Sequence, residues 1–261
     1  MAGSPSIAVV GKGGVGKTTL AAFTVRYLLE NRFKPLLAVD ADPSSCFGAV
    51  LGVRAAETIG GIREDTRAVA QGIPEGIPKQ QYLAMKVQEA VVEASGFDFL
   101  AMGRPEGPGC YCFVNNVLRD HLDKLSSNYR ATIIDCEAGL EHLSRRTARD
   151  VNVMLLVADP TLKALDTLAN VLEISGRLKT RVDRKLLLIN RVPIGSEDKV
   201  MAAARQHLDI GAFEAVGLIP QDEAIFEAEL SGQNLLEITE TMISYQMYTR
   251  FLDTLKHGIY E

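Results

Sequence analysis

The amino-acid sequence predicts an α/β fold, a mainly parallel central sheet flanked by helices. Three observations predict it. Apolar runs of about five residues alternate with longer segments of helical period, as buried strands joined by crossover helices do. A glycine-rich turn, Gly11-Lys12-Gly13-Gly14-Val15-Gly16, sits between the first apolar run and the first helical segment. The composition, 47% hydrophobic and 23% charged over 261 residues, is that of a soluble globular chain. A chain of this length can bury about 70–75% of its unfolded surface.

Taken in order, strands are expected at Ser6 to Val10, Leu36 to Asp40, Phe97 to Met102, Ala131 to Asp135, Val153 to Val157, Leu186 to Asn190 and Ala215 to Leu218. Helices are expected at Lys17 to Asn31, Phe113 to Lys124, Thr161 to Leu178, Ser196 to His207 and Glu237 to Lys256. From Arg54 to Ser95, Gly60-Gly61, Gly72, Pro74, Gly76 and Pro78 interrupt any regular period, so this stretch reads as an excursion with short helices. No repeat, low-complexity linker or composition shift divides the chain, and residues 1–261 read as a single domain.

Charge and cysteine usage narrow the function classes. Lys and Arg number 28 against 33 Asp and Glu, a net charge of -5, which disfavours nonspecific nucleic-acid binding. Met1-Ala2-Gly3-Ser4-Pro5 is too short and polar for a secretory signal, and no apolar run approaches the roughly 18 residues of a membrane span. Four cysteines then suggest a reducing cytoplasm, where a thiol packs a core, binds metal or does redox chemistry rather than closing a structural disulfide.

Gly11-Lys12-Gly13-Gly14-Val15-Gly16-Lys17-Thr18-Thr19 follows a strand and opens a helix, the context of a Walker A phosphate loop. Its glycines let backbone N–H groups converge on phosphate oxygens, and the helix N-terminus adds partial positive charge. Lys17 should reach the β- and γ-phosphates, with the Thr18 hydroxyl on Mg²⁺. Ala131-Thr132-Ile133-Ile134-Asp135 is an apolar strand ending in a carboxylate, a Walker B segment whose Asp135 can hold Mg²⁺ through water.

The second lysine, Lys12, is unnecessary for an ordinary loop of this kind. With it the segment resembles the deviant Walker A motif of the MinD, ParA and nitrogenase iron protein superfamily. That resemblance implies a P-loop ATPase in which Lys12 reaches across a homodimer to the partner's nucleotide phosphates. It also places switch I at Asp40-Ala41-Asp42-Pro43, where Asp42 orients the attacking water or a magnesium-bound water and Asp40 supports it. A positioned carboxylate of this kind contributes on the order of 10²–10⁴ in rate. Cys136-Glu137-Ala138-Gly139-Leu140-Glu141-His142 resembles switch II, with Gly139 as the γ-phosphate sensor. Asn190 matches the base-recognition asparagine, although Arg191 stands where the superfamily has lysine, and Gly217-Leu218-Ile219-Pro220-Gln221-Asp222 resembles the loop that closes over the base. No aspartate follows two residues past a lysine after Asn190, so ATP is preferred over GTP.

Cys110-Tyr111-Cys112 follows a Gly/Pro turn and precedes an expected helix, whose N-terminus can lower thiol pKa values. Thiolates suit Zn²⁺, Ni²⁺, Cu⁺ or iron–sulfur centres. One pair supplies two ligands, and a two-fold dimer supplies the four of a closed tetrahedral site. Lys12 and the pair thus ask for the same dimer.

With Val39-Asp40-Ala41-Asp42-Pro43, Cys46 and Ala138-Gly139-Leu140-Glu141-His142-Leu143, the pair narrows the resemblance to the CooC-type nickel-inserting ATPases that mature carbon monoxide dehydrogenase. The resemblance spans nearly the whole chain. It implies a homodimer holding one Ni²⁺ or Zn²⁺ at Cys110 and Cys112 and coupling ATP hydrolysis, to ADP and phosphate, to nickel delivery. The AcsF-type factor for acetyl-CoA synthase carries the same motifs. Two further classes are an iron–sulfur reductase like the nitrogenase iron protein, opposed by the close cysteine spacing, and a MinD- or ParA-like positioning ATPase. For the last, Phe251 to Glu261 carries too little positive charge for a membrane-anchoring helix. Cys46 and Cys136 read as small packing residues, and His121, His142, His207 and His257 show no metal-ligand spacing.

Overall fold

The computed structural model describes residues 4–42, 44, 46–62, 77–103, 121–136, 150–177, 181–237 and 242–255. Its strands are β1 (Ser6–Gly11), β2 (Leu36–Asp40), β3 (Val92–Glu93), β4 (Phe97–Ala101), β5 (Ala131–Asp135), β6 (Asp150–Ala158), β7 (Arg181–Val192) and β8 (Ala215–Pro220). They form one sheet in the order β3-β4-β2-β5-β1-β6-β7-β8, with every pairing parallel except the antiparallel β3–β4 edge.

Strands β1, β2 and β5 are buried along their whole length, because a parallel sheet covered on both faces demands continuous apolar runs. Period-two alternation divides their side chains between two cores: Ile7 and Val9 enter one, Ala8 and Val10 the other. The first core receives α1 (Lys17–Glu30), α2 (Phe47–Val50), α6 (Glu223–Leu230) and α7 (Ile243–Asp253). The second receives α3 (Lys79–Glu89), the helical residues 121–126, α4 (Leu162–Arg177) and α5 (Glu197–His207). Helix α1 buries ten of its 14 residues and so is covered on most of its surface. Its Phe23 meets the Tyr245 ring edge-on at 5.1 Å, and Thr24 shares a 2.6 Å hydrogen bond with Tyr248.

Register gathers the functional strand ends. Asp40 stands opposite Asp135, Gly11 opposite Val157, and Ile189 opposite both Ala158 and Leu218. The carboxyl ends of β1, β2, β5, β7 and β8 therefore share one edge, where open α/β sheets place their ligands.

Strands β2 and β5 coincide with the sequence reading, and β4 ends one residue earlier than expected. Strands β6 and β7 begin earlier than their apolar runs, because polar side chains pair across the ladder: Asn152 donates to Asp183 at 3.0 Å and Arg184 pairs with Glu214. The expected helix from Glu237 to Lys256 is shorter, a 3₁₀ turn at Leu235–Glu237 followed by α7. Within the excursion, α3 and β3 are regular. The expected Phe113 to Lys124 helix lies outside the described residues except at 121–124, which are helical. Among the described residues no helix is long and apolar enough to cross a membrane.

Candidate functional site

The loop from Gly11 to Gly16 needs three positions that lack a Cβ, one of them Gly14 with its left-handed φ of 82. At Gly11 a Cβ would collide with the Val157 carbonyl of the neighbouring strand. Gly16, the N-cap of α1, takes φ 94 and lies against the Asn190 amide. Along the loop and the first turn of α1, Gly13 and Gly14 are exposed, Val15 and Lys17 are buried, and Lys12 and Thr18 are half-buried. The Lys17 ammonium donates to the Lys12 carbonyl at 3.2 Å. Thr19, also buried, faces the cleft described below.

Thr18 Oγ1 donates to Asp135 Oδ2 at 2.7 Å, joining the first turn of α1 to the end of β5. The other oxygen, Asp135 Oδ1, is buried without a hydrogen-bond partner. Burial drives the Asp135 carboxyl up to about 7; the Thr18 hydrogen bond opposes this, Asp40 adds to it, and Lys17 opposes it. A buried acceptor with an unused lone pair next to a hydroxyl fits a hard cation that takes oxygen ligands, such as Mg²⁺.

Asp40 is fully buried, and its carboxyl is raised to about 6, chiefly by burial. Both of its oxygens serve the backbone: Oδ1 accepts from the Asp42 N–H at 3.1 Å and Oδ2 from the Phe47 N–H at 2.9 Å. It thereby fixes the turn that carries Asp42 and the start of α2. Half-buried Asp42 accepts from the Ser44 N–H and hydroxyl at 2.8 and 2.6 Å.

At the other end of the edge, a cleft of about 590 Å³ is lined by Gly16, Thr19, Asn190, Arg191, Pro220 and α6. Asn190 is buried and donates to the Val15 carbonyl at 2.9 Å, while exposed Arg191 donates to the Gly14 carbonyl at 2.8 Å. The expected closing loop from Gly217 to Asp222 is corrected: Gly217 to Pro220 belong to β8, because Leu218 and Pro220 pair with Ile189 and Val192 of β7. Only Gln221 and Asp222 form the connection. Asp222 is committed to structure, capping α6 through Ala224 N–H and accepting from the N–H and hydroxyl of Ser244 at the start of α7.

The structure thus brings together Gly11, Lys12, Gly13, Gly14, Val15, Gly16, Lys17, Thr18, Thr19, Asp42, Asp135, Asn190 and Pro220 along one edge. Pro43, Cys110, Cys112, Gly139 and His142 lie outside the described residues. Among the described residues no three His, Cys, Asp or Glu side chains are grouped to hold a metal. Cys136 is buried, as a packing thiol should be, and burial pushes its thiol well up. Cys46 is not: it is exposed beside Ser44 and opens the short helix α2, which is too brief to bury it. His207 is held by Asp166 at 2.6 Å. Sequence reading missed the grip of Arg191 on the phosphate loop and the backbone duty of Asp40; the unusual arginine after Asn190 was the signal available for the first.

The family model of the CobQ/CobB/MinD/ParA nucleotide binding domain matches residues 7–236. An uncharacterized ATP-binding protein of Methanocaldococcus jannaschii is 38% identical over 92% of this chain and 94% of its own. The carbon monoxide dehydrogenase accessory protein CooC of Rhodospirillum rubrum is 29% identical over 89% of this chain and 90% of its own. In architecture the chain is similar to the septum site-determining protein MinD from Pyrococcus horikoshii, solved with Mg-ADP, at a TM-score of 0.65 and 21% identity over 98% of both chains.

Proposed function

The chain belongs to the CobQ/CobB/MinD/ParA nucleotide binding domain family, and we propose that it is an ATP-hydrolysing metallochaperone, one domain over residues 1–261 acting as a homodimer. The observation that carries the nucleotide half is the Thr18–Asp135 hydrogen bond of 2.7 Å, beside the unpartnered Asp135 Oδ1. Thr18 and Asp135 would hold Mg²⁺, whose charge would offset that of the phosphates when bound. The backbone from Gly11 to Thr19 cradles the polyphosphate, and Lys17 leaves the Lys12 carbonyl for a phosphate oxygen. Asp42, placed by Asp40, orients the attacking water. Lys12 supplies positive charge to the partner's nucleotide, Gly139 senses the γ-phosphate, and Asn190 with Pro220 receives the adenine.

The cargo half rests on Cys110-Tyr111-Cys112 and on the similarity to CooC. Cys110 and Cys112 of two chains bind one Ni²⁺ or Zn²⁺, and nickel is handed to a nickel-dependent client, carbon monoxide dehydrogenase. Elemental analysis after Ni²⁺ loading, with phosphate release from ATP measured in parallel, tests this. One metal per two chains should be found, and Cys110→Ser with Cys112→Ser should abolish it while turnover persists. Unchanged metal content in that double variant would sink the cargo assignment, and absent phosphate release in the parent would sink the ATPase.

A further inference from the structure

Near the end of strand β7 two consecutive residues reach back to two consecutive carbonyls of the phosphate loop. Asn190 holds the Val15 oxygen and Arg191 the Gly14 oxygen, at 2.9 and 2.8 Å. In a regular strand neighbouring side chains point to opposite faces, so both could not do this. Here the strand is irregular: Arg191 adopts φ 59, and the β7–β8 register shifts between Ile189 and Val192. A left-handed backbone is disfavoured for a residue with a Cβ, and what it delivers is the guanidinium on the loop.

The consequence follows from peptide geometry. In a trans peptide the C=O and N–H point in opposite directions. Fixing the Gly14 carbonyl on Arg191 aims the Val15 N–H the other way, and fixing the Val15 carbonyl on Asn190 does the same for the Gly16 N–H. We infer that Arg191 is a positioning residue that, with Asn190, keeps these carbonyls away from the anion and their peptide N–H groups toward it. The strand end that lines the base cleft thereby holds the polyphosphate cradle in its binding shape. This inference rests on the nucleotide reading above.

The test is calorimetric titration of the full chain with ATP–Mg²⁺ and, separately, with inorganic tripolyphosphate, which has no base to contact. Arg191→Ala should weaken both ligands by about tenfold. Arg191→Lys, which keeps a donor, should recover part of that loss for both. The deficit of Arg191→Ala should persist at about 0.5 M salt, where a purely coulombic contribution is screened. Arg191→Gly, free of the left-handed penalty, should bind as weakly as Arg191→Ala while its Tm stays at or above that of the parent. Unchanged affinities, a loss confined to ATP, a deficit that vanishes in high salt, or a Tm of Arg191→Gly that falls with its affinity would each overturn the inference. A parent chain that binds neither ligand would overturn the nucleotide reading instead.

Discussion

At the β2/β5 end of the site two carboxylates are buried side by side, whereas at the β7/β8 end an amide and a guanidinium hold the loop by donating to its backbone carbonyls. Within the first region the same contrast recurs between neighbours. Asp40 spends both oxygens on backbone N–H groups, and Asp135 spends one on Thr18 and leaves the other unpartnered. A buried acceptor satisfied by the fold is architecture; a buried acceptor left over is a place for a ligand. The β7/β8 end holds the loop through a neutral and a cationic donor, so the two regions should respond differently to substitution, pH and Mg²⁺.

The largest expected effect concerns chemistry. Asp42→Asn should lower the rate of phosphate release by on the order of 10²–10⁴, with ATP affinity held within a few-fold; a rate within threefold of the parent would remove Asp42 from the water. Next comes the contrast between the two buried aspartates, read by urea unfolding of nucleotide-free protein. Asp40→Ala strands the Asp42 and Phe47 N–H groups and should cost about 2–4 kcal/mol. Asp135→Asn keeps an acceptor for Thr18 and removes a poorly solvated charge, so it should be neutral or stabilising while losing Mg²⁺-dependent turnover. Equal destabilisation by both would erase the distinction.

A pH series sharpens it further. Both carboxyls are raised in the fold, to about 6 and about 7, so the native state binds more protons than the unfolded chain once the pH passes the unfolded value of 3.8. Their contribution is therefore unfavourable as it develops: absent below about pH 4, growing up to pH 7, and constant above that. Nucleotide-free protein should lose stability over this window relative to an Asp40→Asn/Asp135→Asn variant, and indistinguishable slopes would contradict the burial of the pair. The smallest effect belongs to the β7/β8 end. Asn190→Ala should weaken ATP binding by roughly tenfold, equally at pH 5 and pH 8.

Much of this edge was legible because its residues obey local rules. Leu36 to Asp40 and Ala131 to Asp135 are short apolar runs stopped by a carboxylate, and both strands lie where they were read. The loop from Gly11 to Thr19 follows from strand, glycines and helix in succession. Polar strand starts such as Asp150 to Asn152 and Arg181 to Lys185 were not legible, since their signal is a partner on the next strand. Helix α6 is not among the expected helices although Asp222 and Glu223 mark its N-terminus, because it is short and follows a stretch that reads as loop. The tie from Arg191 to Gly14 joins residues 177 positions apart and depends on a bulge, which no local pattern announces.

Lys12 and the Cys110/Cys112 pair converge on a single claim, that nucleotide and metal act on the same association of two chains. Size-exclusion chromatography with in-line mass and metal determination tests it most directly, with and without a non-hydrolysable ATP analogue and Ni²⁺. A two-chain particle carrying one Ni²⁺, with its metal lost in the Cys110→Ser/Cys112→Ser variant, is the predicted result. A one-chain particle under every condition would contradict it.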